Sequence, residues 1–143
     1  IHFDPCHHWG ARSLRDRRMT LWCAFTVETP RFKLHHVGDT GFHDGINFRA
    51  AAEKHGGFDL AILPIGAYEP RWFMKFQHID PYEAVEGMQL LKARRAIGHH
   101  WGTFQLTDEP VDEPKEKLAV ALAEAGIAAE AFEAAHPGQV FTL

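Results

Sequence analysis

Apolar positions in this chain come in short runs cut by glycine and proline, a rhythm that predicts strands joined to helices. Leu21–Val27 is rich in β-formers and stops at Glu28-Thr29-Pro30. Arg31–Val37 then alternates basic and apolar residues and runs into Gly38-Asp39-Thr40-Gly41, so the two segments predict a hairpin. Residues 44–55 carry Ala50-Ala51-Ala52-Glu53-Lys54 and end at Gly56-Gly57, a helix with its stop signal. Phe58–Ile65 is almost continuously apolar, as a strand buried on both faces should be. Asp80 as N-cap, Pro81 in the first helical position and Glu83 open a helix over Pro81–Lys92, whose Ala84, Val85, Met88 and Leu91 recur at helical spacing. Ala96–His99 reads as a short strand, Pro114–Ala125 as an amphipathic helix closed by Gly126, and Val140–Thr142 as a last strand. Strands alternating with helices indicate a layered α/β domain, with no repeat, low-complexity segment or linker.

Length and composition narrow the function more than the fold. The 143 residues fit one domain, and 45% hydrophobic with 24% charged residues is ordinary for a globular chain. A net charge of -4 provides no broad positive field for nucleic acid. No apolar run reaches the roughly 18–20 residues needed to span a bilayer, so no transmembrane segment is expected. Cys6 and Cys23 form no disulfide framework, and nothing calls for an oxidising compartment, which points to the cytoplasm. The chain opens on Ile1-His2-Phe3 without a methionine or a signal peptide, and the expectation is that it begins inside a longer polypeptide.

The chemistry lies in the histidines, of which there are 11. His8 in His7-His8-Trp9-Gly10, Asp39 in Gly38-Asp39-Thr40-Gly41 and His100 in His99-His100-Trp101-Gly102 all fall at the ends of predicted strands. Zinc favours imidazole and carboxylate ligands, and neighbouring strand ends can aim them at one rim. Glycines beside each candidate let backbones approach closely. Each also has a bland alternative: a loop histidine is commonly a surface residue, and Asp39 is well suited to a turn that bonds its own backbone. Spacing alone supports an α/β domain with metal-ligand residue types at its rim.

The stretch Phe58-Asp59-Leu60-Ala61-Ile62-Leu63-Pro64-Ile65-Gly66-Ala67-Tyr68-Glu69-Pro70-Arg71-Trp72-Phe73-Met74-Lys75 adds to this. It continues through Gln77-His78-Ile79-Asp80-Pro81 and is followed by His100-Trp101-Gly102-Thr103-Phe104. With His8-Trp9, Arg12, Asp16, Thr20-Leu21-Trp22 and Gly38-Asp39-Thr40-Gly41 upstream, the whole chain resembles the N-acylphosphatidylethanolamine-hydrolysing phospholipase D family of metallo-β-lactamase-fold hydrolases. The resemblance implies an αββα four-layer sandwich with two zinc ions on the rim between its sheets. His8 and His100 then match metal histidines, and Asp39 matches the aspartate that bridges both ions and serves catalysis. Gln77 and His78 match a pair near the substrate phosphate, with His78 lending a catalytic hydrogen bond. Tyr68, Glu69, Arg71 and Trp72 occupy the loop after a buried strand, where α/β proteins tend to place functional loops, and Tyr68 and Arg71 are taken as substrate-binding candidates. Arg71 suits bidentate phosphate contact, though pairing that holds its own loop is favoured. Phe42 for tyrosine, Cys23-Ala24 for a glycine pair and Arg17 for asparagine depart from the family pattern.

One family feature has no match. The His-x-His-x-Asp-His string that supplies ligands to both ions does not occur, and is expected upstream of residue 1. Residues 1–143 are thus expected to be the C-terminal half of one sandwich domain, inactive alone, with the other half supplied by an N-terminal segment or a second chain; a homo-oligomer is a further partner expectation. The implied activity is zinc-dependent phosphodiester hydrolysis of N-acylphosphatidylethanolamine-like phospholipids by an enzyme peripheral to the membrane. A same-fold hydrolase of a soluble phosphodiester or a lactone, and a non-catalytic half-domain that needs a partner, are the alternatives.

Overall fold

In the computed structural model, which describes residues 1–142, six strands form one sheet whose spatial order follows the chain. They are β1 (His2–Asp4), β2 (Ala24–Glu28), β3 (Lys33–His36), β4 (Phe58–Pro64), β5 (Ala93–His99) and β6 (Phe132–Ala134). The first three pair antiparallel and the last four, from β3 on, pair parallel. Parallel pairing requires a crossover, and each one is a helix. These are α1 (Ile46–His55), then α3 (Pro81–Leu90) behind the one-turn α2 (Arg71–Met74), then α4 (Glu113–Glu124).

The helix boundaries have local causes. At the end of α1, Gly56 takes a left-handed φ of 79° and returns its N–H to Ala52 O at 2.8 Å. At the start of α3, Asp80 accepts from Glu83 N at 2.9 Å while Glu83 accepts from Asp80 N at 3.1 Å, a reciprocal capping box. The three long helices cover one face of the sheet. Ala61, Leu63, Ile65 and Ala96 pack there against Phe48, Ala51, Val85, Met88, Leu118 and Leu122, all buried. Each such large side chain contributes about 2 kcal/mol on burial.

Among the described residues no helix lies on the opposite face. Register aligns Phe3, Phe25, His36, Ile62 and Ile97 in one row across five strands, with Val27, Leu34 and Leu60 in the next. Phe3 and Phe25 remain 63% and 42% exposed.

Three expectations are corrected. Val140–Thr142 is not a strand; the last strand is β6, because Phe132 pairs beside Ala96 and is 1% exposed, whereas Val140 has no strand edge and is 89% exposed. Leu21, Trp22 and Cys23 lie outside β2, since the Trp22 indole turns to a loop carbonyl. β5 begins earlier than Ala96, at Ala93: Arg95 stands on the helix-free face beside Leu60 and pairs with Glu133 at 3.0 Å.

One polar chain crosses the fold beneath the sheet edge. The Thr26 hydroxyl donates to Asp4 Oδ2 at 2.7 Å, so its lone pair is left to accept the Nδ1–H of His35 at 2.9 Å. Burial pushes the His35 imidazole down to about 4, against the opposing pull of Asp4. Burial also works to raise Asp4, but hydrogen bonds from Lys54, Thr26 and His55 outweigh it and hold the carboxyl at about 2.

This network predicts the sign of an acid response. Between the ordinary histidine value of 6.5 and about 4 the unfolded chain takes up the His35 proton and the folded chain does not, so stability is lost as the pH is lowered. Asp4 keeps its contribution throughout that window, losing it only towards about 2. Urea unfolding near pH 7.5 and again near pH 4.5 should show a loss of roughly 2–3 kcal/mol from His35, and His35→Gln should flatten the slope. An unaltered slope in that variant would mean the folded protein holds His35 charged.

Candidate metal centre

Parallel strands deliver their chain exits to one edge, and that edge gathers the sequence's chemical candidates. Asp39 follows β3 and His100 follows β5, while His78 precedes α3. Their potential ligand atoms all lie within 4.8 Å of one another. His100 Nε2 stands 3.3 Å from Asp39 Oδ1. The His78 ring is 5.4 Å from that of His100 and 5.1 Å from that of His8, which follows β1. The structure therefore brings four of the expected residues together, with His78 inside the tight cluster and His8 one ring away from it.

Local contacts fix each one. His8 Nδ1 sits 2.9 Å from Trp9 O; a carbonyl only accepts, so Nδ1 carries the proton and Nε2 keeps its lone pair. That is the usual support for a metal-binding imidazole. The Trp9 indole in turn donates to Gln77 Oε1, tying the His8 loop to the residue before His78. Asp39 is not the self-bonding turn residue that composition allows. In the Gly-Asp-Thr-Gly loop it is Thr40 that bonds: its hydroxyl oxygen accepts His7 N at 2.9 Å and donates to Gly41 O at 3.0 Å. Trp22 Nε1 holds the Asp39 carbonyl at 2.9 Å. The carboxylate is left to face the histidines.

His100 takes a left-handed backbone with φ of 64°, uncommon for a side chain this large and a form of stored strain typical of functional positions. Gly66, after β4, makes it possible, because a Cβ there would overlap the His100 carbonyl oxygen.

The electrostatics suit a cation. Burial pushes His78 down to about 4, with Asp39 opposing and His100 and His8 assisting, and burial lowers His8 as well. Both rings are neutral near pH 7, the form that binds metals. His78 Nδ1 is buried without a hydrogen-bond partner. Buried polar groups are almost always paired, so such an orphan fits a ring nitrogen reserved for a bound group, while His100 turns its Nε2 to Asp39. A carboxylate with neutral imidazoles is a donor set that zinc accepts.

Tyr68 and Arg71 both have structural partners. Tyr68 is 1% exposed and its hydroxyl donates to Glu113 on α4 at 2.8 Å, which anchors its loop. Arg71 donates to His78 O at 2.9 Å and to Glu83 at 2.7 Å, with Asp80 at 3.5 Å; its guanidinium clamps α2 to the start of α3, a structural role of the kind favoured from the sequence. Sequence reasoning missed Trp22, Thr40 and Glu109. The Glu109 carboxylate, 7% exposed, accepts the backbone N–H groups of Ala67, Tyr68 and Glu69 and so braces the loop beside His100. No local pattern announces a contact made across some 40 residues of chain.

A cleft of about 780 Å³ adjoins the cluster. His8, Gln77 and Arg18 line it together with apolar Met19, Leu21 and Phe76.

Residues 1–101 match the family model of the beta-lactamase superfamily domain. The chain is 50% identical over 115 residues to N-acyl-phosphatidylethanolamine-hydrolyzing phospholipase D 1 of Caenorhabditis elegans, a match covering 80% of this chain and 32% of that one. It is 44% identical over 127 residues to the mitochondrial enzyme of the same name from Saccharomyces cerevisiae, covering 88% and 27%. The chain thus spans about a third of the length of these curated relatives. The fold is like that of Igni18, a metallo hydrolase from the archaeon Ignicoccus hospitalis, with a TM-score of 0.62 at 22% identity over 96% of this chain and 49% of the other.

The close approach at Gly66 yields a mutational contrast. Gly66→Ala must push the His100 carbonyl aside and should cost about 1–3 kcal/mol in urea unfolding, as overpacking does. Gly10→Ala places its methyl 3.7 Å or more from its neighbours and should cost much less. Equal costs at the two positions would remove the role given to Gly66.

Proposed function

The chain belongs to the beta-lactamase superfamily, and on that premise we propose that it carries one half of the active site of a zinc-dependent phosphodiesterase that acts on N-acylphosphatidylethanolamine-like lipids. The observation that carries this reading is the convergence of Asp39, His78 and His100, with His8 beside them, at the carboxyl edge of the sheet. We assign His8, Asp39 and His100 as ligands of two zinc ions, Asp39 being shared. Zinc, when bound, would polarise the phosphoryl oxygens and acidify a water. The chain's own residues would do the rest. His8 offers Nε2 because Trp9 holds its other nitrogen. His78, kept neutral by burial, meets the phosphate with a hydrogen bond that strengthens as charge builds. Gln77, its oxygen engaged by Trp9, has its amide N–H groups left to donate. Hydrolysis would release an N-acylethanolamine and phosphatidic acid.

Two ligands from this chain per ion fall short of the three typical of a catalytic zinc, so further ligands are proposed to come from residues outside it. The helix-free sheet face supports the same division. Its rows led by Phe3 and Val27 are an apolar surface of the kind that a second sheet covers, and 1–143 is then the C-terminal half of an αββα domain. A lipid substrate is favoured over a soluble ester by the surroundings of the cleft. Trp72, Phe73 and Phe76 on and after α2 are 76%, 57% and 56% exposed beside Gln77, and Met19 and Leu21 are 79% and 82% exposed on the cleft's other wall. Such aromatics suit a peripheral contact with a lipid surface; no helix among the described residues is long and apolar enough to cross a membrane.

Zinc content and turnover of N-acylphosphatidylethanolamine, measured together on the intact protein, test the assignment. Asp39→Asn should lose most bound zinc and turnover while keeping the fold. His78→Gln should keep zinc and lose about 10²-fold in kcat; lost zinc there would make His78 a ligand instead. Near-normal zinc and turnover in Asp39→Asn would end the reading. Trp72→Ser with Phe76→Ser should weaken sedimentation with phospholipid vesicles, and equal sedimentation would return the soluble ester to first place.

A further inference from the structure

At the opposite end of the strands, His2 opens β1, Glu28 closes β2 and His55 closes α1. Their potential ligand atoms all lie within 4.8 Å of one another. His2 Nε2 is 3.5 Å from Glu28 Oε2, and the rings of His2 and His55 are 5.1 Å apart. We propose that these three side chains form a second metal site, separate from the Asp39 cluster, for a divalent transition cation such as Zn²⁺.

The donor chemistry comes first. Two imidazoles and one carboxylate with room for water are a familiar three-ligand zinc set, whereas Mg²⁺ and Ca²⁺ take oxygen ligands. His55 is also held as a metal histidine is held. Its Nε2 lies 3.0 Å from both oxygens of Asp4. Asp4 is ionised at neutral pH and only accepts, so His55 Nε2 carries the proton and Nδ1 keeps the lone pair. A buried carboxylate behind an imidazole is the arrangement that fixes ring and tautomer for a cation in front. Glu28 is divided in the same useful way. Lys33 takes Oε1 at 3.3 Å, and Oε2 faces His2.

The surroundings also limit affinity. Lys33 and Lys54, the latter 2.7 Å from Asp4, together offset the charges of Glu28 and Asp4, so an incoming dication meets a nearly neutral neighbourhood. Binding then depends on the two imidazoles, which selects for nitrogen-loving cations. The mechanical consequence is specific: a cation here would bond the three-residue edge strand β1 to both β2 and α1, adding to the ties that Asp4 already makes to Thr26 and His55.

The site is tested on the intact protein, stripped with chelator and titrated with Zn²⁺. His2 and Glu28 have side chains 45% exposed, so His2→Gln and Glu28→Gln should fold normally. Each should lose one equivalent of bound zinc or bind it at least about 10-fold more weakly, with hydrolysis unchanged. Lys33→Met should tighten that same equivalent, since it removes a cation that competes for Glu28; a mere surface ion pair predicts no such gain. Co²⁺ in place of Zn²⁺ should add absorption that His2→Gln abolishes. Identical stoichiometry and affinity in wild type, His2→Gln and Glu28→Gln would overturn the proposal, whether or not the Asp39 cluster holds metal.

Discussion

Parallel pairing of β3, β4 and β5 is the constraint on which the rest depends. A parallel ladder forces every strand to exit at the same edge and to return through a helix, so the loops holding Asp39, Gly66 and His100 become neighbours although they are far apart in sequence. Antiparallel β1 and β2 then bring His8 and Trp22 to the same edge from the other side. Once the loops meet, short contacts lock them: Trp9 to Gln77, Trp22 to the Asp39 carbonyl, Thr40 to His7, and Gly66 against His100.

Helices on one face only create the second constraint. The helix side is a conventional packed core, and its residues are buried to a few per cent. The other side carries apolar rows across five strands with Phe3 and Phe25 still largely exposed. A sheet apolar on both faces is the observation behind the proposed half-sandwich; the curated relatives are about three times as long as this chain.

Desolvation links stability to chemistry in this molecule. Burial lowers His35, His78 and His99 to about 4, so the fold selects neutral imidazoles both in its structural network and at the candidate metal centre. Neutral rings are needed for metal binding, and the same depression makes the fold sensitive to mild acid. At the structural network the satisfied hydrogen bonds of Thr26 and Asp4 stabilise the arrangement; at the centre, the unpartnered Nδ1 of His78 leaves it open to a ligand.

Much of this was legible in the amino-acid order. Asp80-Pro81 with Glu83, and Gly56 after an alanine-rich run, set the ends of α3 and α1 through local capping, which needs no tertiary information. The apolar run at Phe58 marked the central strand for the same reason, since burial on both faces leaves no polar period. His8, Asp39 and His100 stood out because their residue types and flanking glycines recur at strand ends. Strands of three residues such as β1 and β6 have too little length for a period, and a run like Val140–Thr142 has β-formers without a strand edge to pair with. The partners of Tyr68 and Arg71, Glu113 and Glu83, lie 45 and 12 residues away and were set by packing. Glu109, Trp22, and the His2, Glu28 and His55 group were decided by tertiary structure alone, because each depends on contacts between segments that the chain keeps well apart.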